Sequence, residues 1–146
     1  MIYTLDIPFD EYSSFMRGSA AAPPVIHKAF HSSSSNYFTE GRQDLKDHDF
    51  LKSAPALMLS SGETALQEIE TAVSKLLSNN NQVISLGGDH AITYPILRAF
   101  SKRYAELTIL HIDAHSDLYD SFEGLRYSHA CPFARVMEEG LATLLV

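Results

Sequence analysis

Asp113, His115 and Asp117 alternate with Ala114 and Ser116, so three metal-competent side chains are separated by two small ones. In extended backbone, residues i, i+2 and i+4 point to one side. That spacing predicts three ligands facing one cavity. Upstream, Gly87-Gly88 leads into Asp89-His90, and His90 supplies a fourth ligand. Imidazole together with carboxylates suits Mn, Fe or Zn better than a thiolate-preferring metal. Two adjacent dications would need more acidic ligands than these four. Taken singly, His90 reads as a loop or core histidine, Asp89 as a helix N-cap, and Asp-x-His-x-Asp as a charged loop. Their conjunction at two strand ends, with glycines permitting close approach, points to a metal site. His111 shares the parity of Asp113 and is read as a packed histidine or one supporting the ligands from behind. His27, His31 and His48 have no such company and read as structural or exposed. Gly87-Gly88 has neither the lysine nor the spacing of a phosphate-cradling loop, and Asp89 would repel phosphate.

Two strands must place these groups. Gln82 to Leu86 and Leu107 to Ile112 are short apolar runs that read as buried strands. Ligands in α/β folds collect beyond the carboxyl ends of parallel strands, so both groups are expected on one edge of the sheet. Ile2 to Pro8 reads as a further strand, and a helix opens at Pro23-Pro24 and carries Ile26, Ala29 and Phe30. Ser32 to Ser35 reads as loop, and the stretch from Asn36 to Ser61 is irregular, with a mixed-charge patch from Arg42 to Asp49. Ser60 and Glu63 have the spacing of a capping box. Behind them Ala65, Leu66, Ile69, Ala72, Val73, Leu76 and Leu77 form one helical face, stopped by Asn79-Asn80-Asn81. Ala91 to Tyr104 is a second helix if Pro95 falls in its first turn. Pro132 to Glu139 is a short helix closed by Gly140, and Leu141 to Val146 begins another strand. Alternating strands and helices predict a layered α/β fold with a parallel sheet. The apolar Leu144-Leu145-Val146 has nothing after it to cover it, so a fragment is expected.

The 146 residues are 45% hydrophobic and 20% charged, which excludes a disordered or collagenous chain and suits one domain with a real core. Lys+Arg is 11 and Asp+Glu 18, a formal charge of −7. That balance argues against nucleic-acid or anionic-membrane partners and favours a small cationic substrate or a metal. Cys131 is alone, so an intrachain disulfide and a Cys-rich zinc module are excluded, and a reducing, cytoplasmic setting is expected. The N-terminal residues lack the pattern of a signal peptide, and no run is long and apolar enough for a transmembrane helix.

Gly87-Gly88-Asp89-His90-Ala91-Ile92-Thr93 resembles the first metal motif of the ureohydrolase superfamily of arginases and agmatinases. His111-Ile112-Asp113-Ala114-His115-Ser116-Asp117 resembles its second. Tyr127-Ser128-His129-Ala130-Cys131-Pro132-Phe133 is similar to the segment that carries a mobile histidine near the substrate. Ser13-Ser14-Phe15-Met16-Arg17-Gly18 through Ala22-Pro23-Pro24 resembles the family's N-terminal loop and first helix. These motifs run in the family's order and span most of the chain.

The resemblance implies a three-layer αβα fold with a mainly parallel sheet, and a binuclear Mn2+ site. His90, Asp113 and Asp117 would hold one ion; Asp113 and His115 would hold the other, with Asp113 bridging. A metal-bridging hydroxide would attack the guanidinium carbon, and His129, the candidate catalytic residue, would carry the proton to the leaving amine. Arginases have an asparagine two residues after the last carboxylate of the second motif, where it meets the substrate's α-carboxylate. Tyr119 stands there instead. That departure, with the Tyr-Ser-His-Ala segment, implies agmatine as substrate and putrescine and urea as products; arginine and other guanidino acids are the alternatives. The family's third metal motif, an Asp-x-Asp pair, and an acidic substrate-binding residue beyond it do not follow within these residues. The chain therefore reads as a single partial ureohydrolase domain with four of six implied ligands, weak or inactive by itself. The complete enzyme is expected to be a homo-oligomer. A non-catalytic metal-binding remnant and a nucleotide-binding α/β domain are the competing readings.

Overall fold

The computed structural model describes residues 1–47 and 51–146, so the readings that fell on His48 and Asp49 lie outside the described residues. Strand β1 (Ile2–Ile7) is central in a parallel sheet, flanked by β2 (Leu51–Ser53) and β3 (Gln82–Gly87). Ile2 stands opposite Gln82 and Ile7 opposite Gly87. Side-chain alternation sorts the two faces of β1. Leu5 and Ile7 are buried in one cluster with Leu66, Ile69, Val73 and Leu77 of helix α2 (Gly62–Ser78). Asp6, on the other face, bonds His27 Nε2 of helix α1 (Ala22–Phe30) at 2.8 Å. Helices therefore cover both faces, the three-layer α/β arrangement expected. Each fully buried aliphatic chain in this core contributes roughly 1.5–3 kcal/mol.

Helix α3 (Thr93–Arg103) lies along α2, where the buried Glu70 carboxylate receives Arg98 Nη1 at 3.5 Å and also Lys102 Nζ. Pro95 falls in the first turn of α3, where no helical N–H is lost. A second, smaller parallel pair joins β4 (Thr108–Ile109) to β5 (Leu144–Leu145), with helix α4 (Pro132–Glu138) between them in the chain. Ala99 of α3 belongs to the first core cluster, while Tyr94 belongs to a second with Val136 and Ala142. Among the described residues β3 and β4 share no ladder; α3 joins the two sheets.

Two local expectations change. The capping box at Ser60 and Glu63 does not form. Ser61 is the N-cap and makes no side-chain cap bond. Ser60 N and Oγ instead donate to the two oxygens of Glu68 at 2.8 and 2.7 Å, and Gly62 N donates to Glu11 Oε2 at 2.8 Å. Longer-range carboxylates thus take the donors that a local box would have satisfied. Strand β4 is also shorter than the Leu107–Ile112 run, pairing Thr108 and Ile109 with Leu144 and Leu145, although His111 N still donates to Val146 O at 2.8 Å; Leu110 and Ile112 are exposed.

Candidate metal centre

The turn after β3 is built by close approach. A Cβ on Gly88 would stand 1.8 Å from the Phe9 carbonyl oxygen, and one on Gly87 2.0 Å from Ile92 Cδ1. The glycines therefore serve packing of the β1 and β3 ends, and Asp89 N donates to Phe9 O at 2.8 Å across that contact. Asp89 caps the short turn His90–Ile92, with Oδ1 accepting from Ala91 N at 2.9 Å. Its Oδ2 accepts from Tyr12 N at 3.0 Å and Ser13 Oγ at 3.3 Å. Burial raises its pKa, and these bonds partly offset the rise.

The turn delivers His90 to the second motif. His90 Nδ1 lies 2.5 Å from Asp117 Oδ2, and Asp117 is only 8% exposed. Phe133 N, at the start of α4, donates to the Asp117 carbonyl at 3.2 Å and so ties the loop to that helix. One ligand atom each from His90, His111, Asp113 and Asp117 falls within 4.8 Å of the others. Among the described residues, His111 Nε2 is buried without a hydrogen-bond partner. Its ring packs on Phe133 at 4.2 Å and beside His90 at 5.4 Å. An unsatisfied imidazole nitrogen among two carboxylates and a second imidazole is a donor set that fits a divalent cation.

The predicted ligands thus divide. His90, Asp113 and Asp117 come together; His115 does not, its side chain being 81% exposed with Nδ1 3.5 Å from Asp113 Oδ1. The cause is local. His115 N donates to Asp113 Oδ1 at 2.9 Å, which bends the backbone, and Asp117 adopts a left-handed φ of 48°. The strict alternation assumed for Asp113, His115 and Asp117 ends at that bend. The same bond is the leading cause of a lowered pKa at Asp113. His111, read as a packed or supporting residue, joins the cluster; its parity with Asp113 was the available signal.

His129 lies elsewhere on the loop, between β4 and α4. Its Nδ1 is 2.8 Å from the Tyr12 carbonyl and 3.2 Å from Ser128 Oγ, and Nε2 is 3.4 Å from Ser14 Oγ. Tyr12 and Ser13 are the residues that Asp89 holds, so His129 and the metal cluster share one support. Nothing in the spacing of the sequence marked Tyr12 or Ser14 for this contact. The loop is also gripped by Arg135, buried at 3% exposure, which donates to the carbonyls of Asp120 and Arg126 at 2.6 and 3.0 Å. Tyr119 is exposed, with its N–H on Ala130 O at 3.2 Å.

Residues 2–144 match the arginase family model. The chain belongs to the arginase family. It is 38% identical to the mitochondrial arginase 1 of Arabidopsis thaliana, over 97% of this chain and 44% of that protein. It is 33% identical to the agmatinase of Neisseria meningitidis serogroup C, over 92% of this chain and 44% of the relative. The solved arginase from Medicago truncatula superposes with a TM-score of 0.91 at 36% identity, covering 99% of this chain and 48% of that one. The fold is arginase-like, and the chain spans a little under half the length of these relatives. Arginases and an agmatinase both appear among them, so membership does not decide for agmatine. Among the described residues no helix is long and apolar enough to cross a membrane.

Proposed function

We propose that this chain contributes the first half of a metal-dependent site that hydrolyses a guanidino C–N bond. The observation that carries the reading is the convergence of His90, His111, Asp113 and Asp117 within 4.8 Å, in a chain of the arginase family. Divalent ions held there, Mn2+ in our reading and two in the complete enzyme, supply Lewis acidity and lower the pKa of water toward neutrality. His90, Asp113 and Asp117 would hold the first ion and His115 with Asp113 the second, with His111 standing in the same cluster. The net charge of −7 favours a cationic guanidino substrate. His129 carries a proton between solvent and the leaving amine, a task for which imidazole is suited near neutral pH.

Two substrates divide the support. Tyr119, in place of the asparagine that the resemblance assigns to arginases, supports agmatine. The higher identity to arginases supports arginine. Urea release from agmatine, arginine and guanidinobutyrate with added Mn2+ decides between them. We expect slow turnover from these residues alone, because they hold four of the six implied ligands. Loss of Mn2+ binding in His90→Ala with no urea from any guanidine would reduce the reading to a metal-binding remnant; no Mn2+ binding by the unaltered chain would end it. Cytoplasmic residence and homo-oligomeric assembly of the complete protein belong to the same proposal. Several relatives are named mitochondrial, so cell fractionation tests the first.

A further inference from the structure

Asp89 adjoins His90, yet its carboxylate belongs to the loop after β1. Tyr12 N and Ser13 Oγ donate to Oδ2, while Asp89 N donates to Phe9 O. The loop is thereby pinned on both sides of Asp10. That loop faces His129, with Tyr12 O at 2.8 Å from Nδ1 and Ser14 Oγ at 3.4 Å from Nε2. A carbonyl oxygen can only accept a hydrogen bond. The proton of the neutral ring is therefore on Nδ1, which donates to Tyr12 O. Nε2 keeps its lone pair and accepts from the Ser14 hydroxyl.

We propose that Asp89 is a positioning residue that fixes the tautomer of His129 through the loop Tyr12–Ser14, leaving Nε2 as the nitrogen that takes up and delivers a proton. A loop released from Asp89 no longer aims the Tyr12 carbonyl at Nδ1, and both neutral tautomers become accessible. The inference rests on reading His129 as the proton carrier.

The test is a long-range 1H–15N correlation spectrum of the full chain labelled with 15N-histidine, at a pH above the ordinary range of imidazole. His129→Ala assigns the signals. In the unaltered protein we expect a pyrrole-like Nδ1 and a pyridine-like Nε2 at His129. Asp89→Asn keeps the side chain's size but loses one of the two acceptor oxygens that now take Ala91 N and Tyr12 N, and where the Tyr12 anchor is lost the His129 nitrogens should move toward averaged values. Ser13→Ala removes one anchor and should move them partway in the same direction, and it decides alone if Asp89→Asn does not fold. A pyridine-like Nδ1 in the unaltered protein overturns the proposal. So does an unshifted His129 in both folded variants, or in Ser13→Ala alone where Asp89→Asn is unfolded. The spectrum needs neither metal nor substrate. A protein with the expected tautomer that hydrolyses no guanidine would refute the proposed function and leave the tautomer assignment standing.

Discussion

His90 Nδ1 and Asp117 Oδ2 meet at 2.5 Å although one follows β3 and the other lies on the loop after β4, at the ends of two separate sheets. The contact is made between the two groups that the first ion would draw together. Asp117→Ala should therefore weaken Mn2+ binding by at least ~10–100-fold, the range found even for groups one step removed from a metal. Isothermal titration of the folded chain measures it, and an unchanged affinity would remove Asp117 from the ligand set.

Because those ligands come from both sheets, an ion bound there stabilises only the folded chain. Mass action gives about 2.7 kcal/mol at a free metal concentration of 100 times Kd. For a chain of this length that corresponds to a rise in Tm of roughly 5–10 °C. Thermal melts with Mn2+ and with EDTA should separate by that amount, and His90→Ala should bring the two curves together.

Gly88→Ala should be costly. The added Cβ would lie 1.8 Å from the Phe9 carbonyl oxygen, a backbone atom that cannot rotate aside. Overpacking against a rigid neighbour costs about 1–3 kcal/mol and sometimes more. The upper part of that range is expected from urea unfolding. The same variant at Gly124, where a Cβ meets nothing within 4 Å among the described residues, is a control for crowding, though its φ of 78° adds strain of its own.

Cys131 reports on the packing behind the site. Its side chain is fully buried, and burial pushes the thiol pKa up. A thiol whose folded pKa is raised contributes stability that is fully present below the unfolded value, about 8.5, and lost as pH rises through the folded value. Urea midpoints should thus decline as pH rises from the unfolded value toward the folded one, and Cys131→Ser should flatten the decline. Reaction with a disulfide reagent at neutral pH should be slow in the folded protein and fast in denaturant.

Much of this was legible in the sequence, and the misses have physical causes. The helical face from Ala65 to Leu77 and the strands read at Ile2 and Gln82 depend on apolar pattern, which burial enforces. The convergence of His90 with Asp113 and Asp117 followed from the rule that ligands gather beyond strand ends. The placement of His115 did not, because one backbone bond to Asp113 Oδ1 and a left-handed Asp117 break the alternation that the reading assumed. The capping box failed for a related reason: Glu68 and Glu11 reach the donors from elsewhere, and a local motif carries no information about such competitors. The contacts of His129 with Tyr12 and Ser14 span more than a hundred positions and have no counterpart in local pattern.

The separation of the two sheets has a consequence for how the molecule loosens. A two-stranded parallel pair as short as β4 and β5 is weak by itself, whereas β1 is hydrogen-bonded on both sides. Among the described residues the two sheets are joined through α3, which places Ala99 in one core cluster and packs Tyr94 in the other. Of the four clustered residues, His90 follows the first sheet and His111, Asp113 and Asp117 follow the second pair, so the cluster can come apart by local opening before the described residues as a whole melt.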